Sequence, residues 1–587
     1  MRRDIQALRG FSILVVLLYH AQFGWFKGGF LGVDIFFVIS GFVITSKLME
    51  GEGAIGSQIK AFYLRRAKRI LPASLTVTFL TSIAAIFFFP AISRSRFSIE
   101  ALSSAFFSAN LNFARVGNDY LAQAADPSPF LHYWSLGVEE QFYFMWPILF
   151  LIFYKKYKNW LIPTFILTAI FGIWYTSMSP VHSFYLPFSR FWEFFAGIFL
   201  AMNPQIYVSQ RFKKVAAILG WILLIFSVHY ISVKNATPGI TTALAVCGAV
   251  LVLIARVDVK PRFVLPFLGD YSFSLYLVHW PVVVYFLDRN STLNAMSKIS
   301  IIFLSASLSL ILTHFVERPF RFKKKFALTL PQWGIAILIG SVLSYGALAA
   351  SAATTPRIDR SLPVTYTDGC HLSFGKAWPL GVCAYGDETS PIEMILAGDS
   401  HAAQWFPALQ RIARDRKWKL INLTKSSCPA ITLETTRNGK FDSSCAIWQV
   451  KLITKINSDQ PKFVILSDFT EYQYPLLKES NSYEMTWRSG LDAFLSQINA
   501  PFVFLGDTPK PSSAVGDFPL TRTATTIATQ KSVEAHGGTY INTAAWLCSN
   551  RCPATLNGVN TYRDSTHISV HTAEALSTKL AAAIPTK

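Results

Sequence analysis

Charged residues are scarce in this chain, and acidic ones are scarcer. They make up 15% of 587 residues, with 34 Asp and Glu against 54 Lys and Arg. A soluble domain carries about a quarter charged residues. Low charge, 52% hydrophobic and 15% aromatic residues, and a positive mean hydropathy exclude an ordinary soluble protein. They point to a membrane protein, and the length implies at least two domains. No basic patch accompanies the net charge of +20. The basic residues fall in short clusters between apolar runs, which argues against a nucleic-acid partner and for membrane lipids as surroundings. A small-x-small cleavage site is missing after Met1-Arg2-Arg3-Asp4 and its apolar run. A second run begins at once, so the first reads as a retained helix. Paired C-x-x-C is also missing, which argues against a zinc site, and no metal is expected. Of seven cysteines, Cys247 lies in an apolar segment and is expected to be inert packing. Cys370, Cys383, Cys428, Cys445, Cys548 and Cys552 all follow the last apolar run. An even set in one soluble domain reads as disulfides in an oxidising compartment, with sequential pairing expected.

Apolar segments long enough to span a bilayer lie near 8–25, 30–48, 71–90, 132–153, 160–178, 188–204, 214–232, 238–255, 266–287, 297–316 and 328–350. That predicts about eleven transmembrane helices. One set of loops carries Arg2-Arg3, Lys60 to Arg69, Lys155 to Lys158, Arg211 to Lys214, Arg256 to Arg262 and Arg318 to Lys325. The alternate loops hold only Lys27, Arg94, Arg96, Arg115, Lys234 and Arg289. The basic set is therefore expected to be cytoplasmic. An odd number of spans then puts the C-terminal domain outside, where the cysteines also require it. The long outward loop 91–131 is expected to fold over the bundle mouth as a short helix, as a surface cap or as part of a site.

Several ionisable residues fall inside these spans. Arg9 and His20 are eleven positions apart in the first, about three helical turns with ~20° left over, so they share a face ~16 Å apart. Asp34 lies one turn inside the second span, in Gly-Val-Asp34-Ile-Phe-Phe-Val-Ile-Ser-Gly41. The fourth begins His132-Tyr-Trp134-Ser135-Leu-Gly-Val-Glu139-Glu140-Gln141. The sixth carries Arg190 and Glu193, a candidate i,i+3 pair, and the ninth carries Tyr276 and His279. Residues of this kind in five helices suggest a polar cavity in the bundle; structural ion pairs and a merely hydrogen-bonded His20 are the alternatives. Arg66 and Arg69 share one helical face toward the cytoplasmic surface. Paired guanidinia suit a phosphorylated ligand, and lipid headgroups are the competing partner. Asp34, at a depth close to His20, is expected to orient its ring.

Beyond a linker at 351–363 and an irregular extension at 364–390, the pattern changes to short β runs alternating with helices. Strands are expected at 392–397, 420–423, 462–467, 501–506 and 539–542, with helices near 401–415, 444–456, 486–498, 522–536 and 571–583. The alternation implies a parallel sheet covered by helices. The first strand ends at Gly398-Asp399-Ser400, which puts a hydroxyl at a helix start. Late in the chain stands Asp564-Ser-Thr-His567. A serine nucleophile needs a base, and the base needs an orienting carboxylate. Ser400, His567 and Asp564 are the candidates.

The membrane motifs resemble the acyltransferase-3 family. They are Arg9-x10-His20, Gly32-Val-Asp34-x-Phe-Phe-Val-x-Ser40-Gly41, Arg66-x-x-Arg69, Trp134-Ser-Leu-x-x-Glu139-x-Gln141, Tyr276-Leu-x-His279-x-Pro281 and Glu317-Arg318-Pro319. The resemblance covers roughly 1–325. It implies an integral membrane O-acyltransferase that takes acetyl from cytoplasmic acetyl-CoA, with Arg9 and His20 in the transfer site and Arg66 and Arg69 at the CoA phosphates. Residues 391–587 resemble the SGNH hydrolase-like domain at its first and last blocks, which implies Ser400 as nucleophile, His567 as base and Asp564 as orienter. The oxyanion asparagine of that family is replaced by Asp468 in Leu466-Ser467-Asp468, and its glycine block is not evident near 424–428. Ser427 or Ser467 are the candidate replacement donors.

The expected layout is a bundle at 1–325, a further transmembrane helix at 326–350, an extension at 351–390 and an SGNH-like α/β/α domain at 391–587. As a whole the chain resembles bacterial O-antigen acetyltransferases. The implied partners are acetyl-CoA as donor and lipopolysaccharide O-antigen or a related envelope glycan as acceptor. The implied place is the inner membrane with the C-terminal domain periplasmic. Asp34, Trp134, Ser135, Glu139, Glu140, Arg190, Tyr276 and His279 are expected to support the site. A transporter with a glycan-binding outer domain and an anchored glycan acetylesterase are the alternatives; the first leaves the triad without a purpose and the second leaves Arg9, His20 and the arginine pair without one.

Overall fold

The computed structural model describes residues 2–116, 127–157, 161–204, 210–232, 235, 237–257, 264–288, 293–322, 328–353, 359–373, 375–379, 381–437, 440–470, 483–509, 518–519, 524–564 and 566–585. The basic positions Lys158, Lys234 and Arg289, parts of the clusters at 256–262 and 318–325, and residues 117–126 of the outward loop lie outside the described residues. The chain folds as two compact units, residues 1–86 with 95–350, and residues 87–94 with 351–587.

The first unit is helical. Its long elements are α1 (Arg3–His20), α2 (Gly32–Met49), α3 (Ile55–Phe88), α6 (Tyr133–Tyr157), α7 (Leu161–Met178), α9 (Pro187–Met202), α10 (Gln210–Tyr230), α11 (Ile240–Ala255), α12 (Val264–Leu287), α13 (Ala295–Leu312) and α15 (Leu330–Ala353). Short helices α4 (Arg94–Ala105), α5 (Ala109–Arg115), α8 (Pro180–Tyr185) and α14 (Arg318–Phe322) stand between them. A helix therefore stands at each of the eleven expected segments. Among the described residues, five helices are long and apolar enough to cross a membrane by length and composition. The others are shorter or interrupted by polar residues; α1 alone carries Arg3, Asp4 and Arg9.

Apolar side chains cover the outside of this bundle. On α15, Ile335, Leu338 and Val342 are each more than half exposed, as suits a lipid-facing helix. Cys247 is likewise exposed on α11, which corrects its expected place in the packing. Helices α1 and α12 approach closely through two glycines. A Cβ on Gly10 would sit 1.9 Å from the Leu265 carbonyl, and one on Gly269 would sit 2.0 Å from that of Gln6, so α1 and α12 touch backbone to backbone. The arginine cluster differs from the expected inward loop. Residues 60–69 lie within α3, which runs unbroken through Pro72. Its Lys and Arg residues are good helix formers, and Pro72 costs the helix only one donor and a local strain.

The second unit is built on a seven-stranded sheet of β1 (His371–Leu372), β2 (Ala384–Gly386), β3 (Glu393–Gly398), β4 (Lys419–Lys425), β5 (Phe463–Ser467), β6 (Phe502–Leu505) and β7 (Thr539–Ile541). The order is β1-β4-β3-β5-β6-β7 and all of these run parallel, while β2 lies antiparallel against β4. Alternate residues face opposite sides. Met394, Leu396, Phe463 and Ile465 pack with α17 (Phe406–Arg416), α22 (Val570–Ala575) and α23 (Ser577–Ala583). Ile395, Ala397, Val464 and Leu466 pack on the other face with α18 (Ser443–Asp459), α19 (Tyr483–Leu495) and α20 (Ala524–Ala535). The short helices α16 (Ser400–Ala403) and α21 (Ala544–Leu547) follow strand ends.

The five expected strands are all present. The extension at 364–390 differs from expectation, since it adds β1 and β2 to the sheet edge. Strands of two and three residues carry too little alternation to be seen in sequence. Disulfides join Cys370 to Cys383, Cys428 to Cys445 and Cys548 to Cys552, in the expected order.

Candidate functional site

In the helical unit the expected polar residues separate into three groups. The first lines a cavity. Arg9 from α1, Arg66 and Arg69 from α3, Ser135 and Glu139 from α6, and Tyr276 from α12 all face it. The Arg66 guanidinium lies 3.6 Å over the Tyr143 ring and 4.0 Å from Glu140. The Ser40 and Tyr143 hydroxyls donate to Glu139, so one carboxylate is held while three guanidinia point into one space. That surplus of positive charge suits an anion with several oxygens.

The second group is a histidine pair. Nδ1 of His279 lies 2.7 Å from the Tyr276 carbonyl, which accepts only, so this nitrogen carries the proton. Nε2 of His279 is then an acceptor. It lies 3.0 Å from Nδ1 of His20, which must donate. This chain leaves the lone pair of a neutral His20 on Nε2. The Trp280 ring meets the His20 ring at 4.6 Å, edge on. Tyr276 joins this group to the cavity. Its carbonyl fixes His279, while its hydroxyl donates to the His132 carbonyl at 2.9 Å and accepts from Ser135.

The third group corrects an expectation. Asp34 does not orient His20. Its carboxylate is 2.7 Å from Nη1 of Arg190, with Glu193 at 3.4 Å from the same nitrogen. Nε of Arg190 donates to the Phe184 carbonyl, and the guanidinium faces the rings of Phe184 and Trp134. Asp34 and Arg190 are both 1% exposed. A carboxylate at that depth pairs with the nearest guanidinium before a neutral imidazole, because the charge pair is the stronger interaction.

In the outer unit, β3 delivers Ser400 to the start of α16. The strand ends on Gly398 at φ +135°, where a Cβ would strike the Ser467 carbonyl at 2.0 Å. Only glycine fits there. Asp399 then caps α16 by accepting from the His401 N–H at 2.7 Å. The Ser400 hydroxyl is 2.9 Å from Nε2 of His567, and Nδ1 of His567 is 2.9 Å from each carboxylate oxygen of Asp564. Ser400, His567 and Asp564 thus form a continuous hydrogen-bonded chain from residues 164 positions apart in sequence between Ser400 and Asp564.

Burial and the neighbouring His401 push His567 down to about 4, against the pull of Asp564. Burial alone would raise Asp564, but bonds from His567 and from the N–H groups of Thr566 and His567 hold it well below the ordinary carboxylate range. The base is therefore neutral and its orienter ionised at neutral pH, the state a serine nucleophile needs.

The middle blocks do not supply a side-chain oxyanion donor. Burial beside Asp399 pushes Asp468 well above the ordinary carboxylate range, yet its oxygens accept from the N–H groups of Asp399 at 3.1 Å and Ala430 at 3.1 Å. Asp468 ties the Ser400 turn to the turn at 430. Ser467 is fully buried and its hydroxyl makes no hydrogen bond among the described residues. Ser427 sits in a turn at φ +53°. Sequence reasoning passed over His401, which follows the nucleophile and bonds Asp507 at 2.7 Å.

A multi-helix membrane bundle with a polar cavity, carrying an α/β domain with a Ser-His-Asp chain, defines a membrane-bound acyl-transferring class. Residues 2–318 match the acyltransferase domain family, and residues 369–582 match the SGNH domain that occurs fused to it. The chain belongs to this acyltransferase family. The peptidoglycan O-acetyltransferase OatA of Listeria monocytogenes serovar 1/2a is 30% identical over 353 residues, covering 54% of this chain and 55% of that protein. The putative membrane-bound transacylase BcsY of Komagataeibacter xylinus is 32% identical over 296 residues, covering 48% of this chain and 73% of that protein. The match spans about half the length of OatA. A solved periplasmic domain of a lipopolysaccharide acetyltransferase from Salmonella ser. Paratyphi A aligns with 17% identity and a TM-score of 0.27, over 38% of this chain and 87% of that one.

Proposed function

We propose that the protein moves an acetyl group from acetyl-CoA at the cytoplasmic face to a sugar hydroxyl of a cell-envelope glycan, lipopolysaccharide O-antigen or a related polymer. The observation that carries this reading is the Ser400–His567–Asp564 chain, with 2.9 Å at each bond, on a domain stapled by three disulfides. The three-arginine cavity of the bundle supports it from the donor side, and the relatives' names, a peptidoglycan O-acetyltransferase and a putative membrane-bound transacylase, support acyl transfer. The distribution of basic loops and the disulfides support an inner-membrane protein with a cytoplasmic N-terminus and a periplasmic C-terminal domain.

The residues divide the work as follows. Arg66 and Arg69, with Arg9, hold the phosphates of the donor in the cavity. His20 attacks the thioester carbonyl through Nε2, the C–S bond breaks, and the CoA thiolate leaves. Ser400 then takes the acetyl group as its hydroxyl proton passes to His567, His20 leaves as the neutral imidazole, and His567 gives that proton to water, which balances the thiolate already released and restores the base. The glycan hydroxyl attacks the Ser400 ester, loses its proton to His567, and Ser400 is regenerated with that proton.

Purified full-length protein in vesicles, given labelled acetyl-CoA and an isolated envelope glycan, tests the proposal. Label is expected in ester linkage on the glycan, and loss of it in His20→Ala and Ser400→Ala. Release of acetate from an acetylated glycan, with no transfer from acetyl-CoA, would make the protein an esterase instead.

A further inference from the structure

The residue after the nucleophile belongs to a second histidine–carboxylate pair. His401 is 1% exposed, and its Nδ1 lies 2.7 Å from Asp507 Oδ1. The other Asp507 oxygen accepts the Thr470 N–H at 2.9 Å and the Thr470 hydroxyl at 3.3 Å. The ring of His401 stacks on Phe469 at 4.4 Å and meets the His567 ring at 4.5 Å, tilted by 44°. Three carboxylates surround it: Asp507 from the end of β6, Asp399 from its own turn, and Asp564 from the loop ahead of α22. Arg563, whose Nε is 3.4 Å from Asp564, is a further positive charge acting on His567.

We propose that His401 and Asp507 form a buried ion pair that holds a fixed positive charge against the ring of His567, making His401 a positioning residue that keeps the base unprotonated toward Ser400. Asp507 is bonded to Nδ1 of His401, while the His401 ring itself meets that of His567 at 4.5 Å, so the cation acts on His567 at ring contact. Its effect on the base is that of a like charge at ring-contact distance. This rests on the reading of Ser400, His567 and Asp564 as the transfer site. Physically, Asp507 overcomes the burial penalty of His401 and raises it above the ordinary histidine value, while the resulting charge adds to burial in depressing His567.

The test is the pH profile of p-nitrophenyl acetate turnover by the full-length protein in detergent. The acidic limb of the wild type is expected near the His567 value of about 4. In His401→Gln the cation is gone, and in Asp507→Asn it loses the partner that keeps it charged. Both variants are expected to move the limb upward by at least about one pH unit, the effect of one like charge at ring contact in an effective dielectric of about 20. A merely structural role lowers the rate without moving the midpoint, and two variants guard against one that fails to fold. Loss of turnover in Ser400→Ala together with an unmoved limb in both variants would overturn the proposal and leave the triad standing. Wild-type turnover in Ser400→Ala would overturn both.

Discussion

Replacing Asp34 is expected to act on stability rather than on acetyl handling. In Asp34→Ala, Arg190 loses a carboxylate at 2.7 Å and keeps Glu193 at 3.4 Å. The direct attraction at ~3 Å in an effective dielectric of about 20 is roughly 5 kcal/mol. Because the guanidinium is 1% exposed, water cannot replace the lost partner, and the expected net cost is about 3–5 kcal/mol. Asp34→Asn keeps a hydrogen-bond acceptor and is expected to cost about 2 kcal/mol. Unfolding in mixed micelles, followed by tryptophan fluorescence, measures both. Acetyl transfer per folded molecule is expected to fall little, and the effects of Asp34→Asn and His20→Gln are expected to be independent. A stability change within about 0.5 kcal/mol of wild type for Asp34→Ala, or strong coupling to His20, would refute the assignment of Asp34 to the Arg190 pair.

Three further outcomes are expected. Single Arg66→Ala and Arg69→Ala substitutions should raise KM for acetyl-CoA about tenfold to a hundredfold with a smaller change in kcat, the loss of one charge-assisted contact each; steady-state kinetics in vesicles reads this. His279→Phe removes the acceptor that fixes the His20 tautomer and should lower acetyl transfer about tenfold to a hundredfold, with donor binding by equilibrium dialysis unchanged. Replacing Cys428 and Cys445, whose bridge spans 17 positions inside a fully buried cluster, should destabilise the outer unit by about 3 kcal/mol, seen as protease cleavage confined to residues 351–587.

Much of this arrangement is legible from residue order alone. The alternation Met394-Ile-Leu-Ala397 is that of a strand buried on both faces, and it is β3. His567 meets the Ser400 hydroxyl and Asp564, three residues earlier on the same turn, holds its other ring nitrogen, as the chemistry of a serine nucleophile requires. Arg190 and Glu193, one helical turn apart, do interact. The partner of Asp34 was not legible, because it lies 156 positions away and helical spacing says nothing about contacts between helices. The same holds for His20 and His279, which depth alone could not join. His401 was hidden by its position beside Ser400, and its partner Asp507 stands at the end of a different strand. Helix α3 was underestimated because positively charged residues read as loop when the membrane boundary is sought by hydropathy.

The central claim is that acetyl passes from the bundle to Ser400. Mass spectrometry of the full-length protein in vesicles, quenched after addition of acetyl-CoA without glycan, tests it most directly. The account predicts one acetyl group on the Ser400 peptide in the wild type and none in His20→Ala. Normal acetylation of glycan by Ser400→Ala would contradict it.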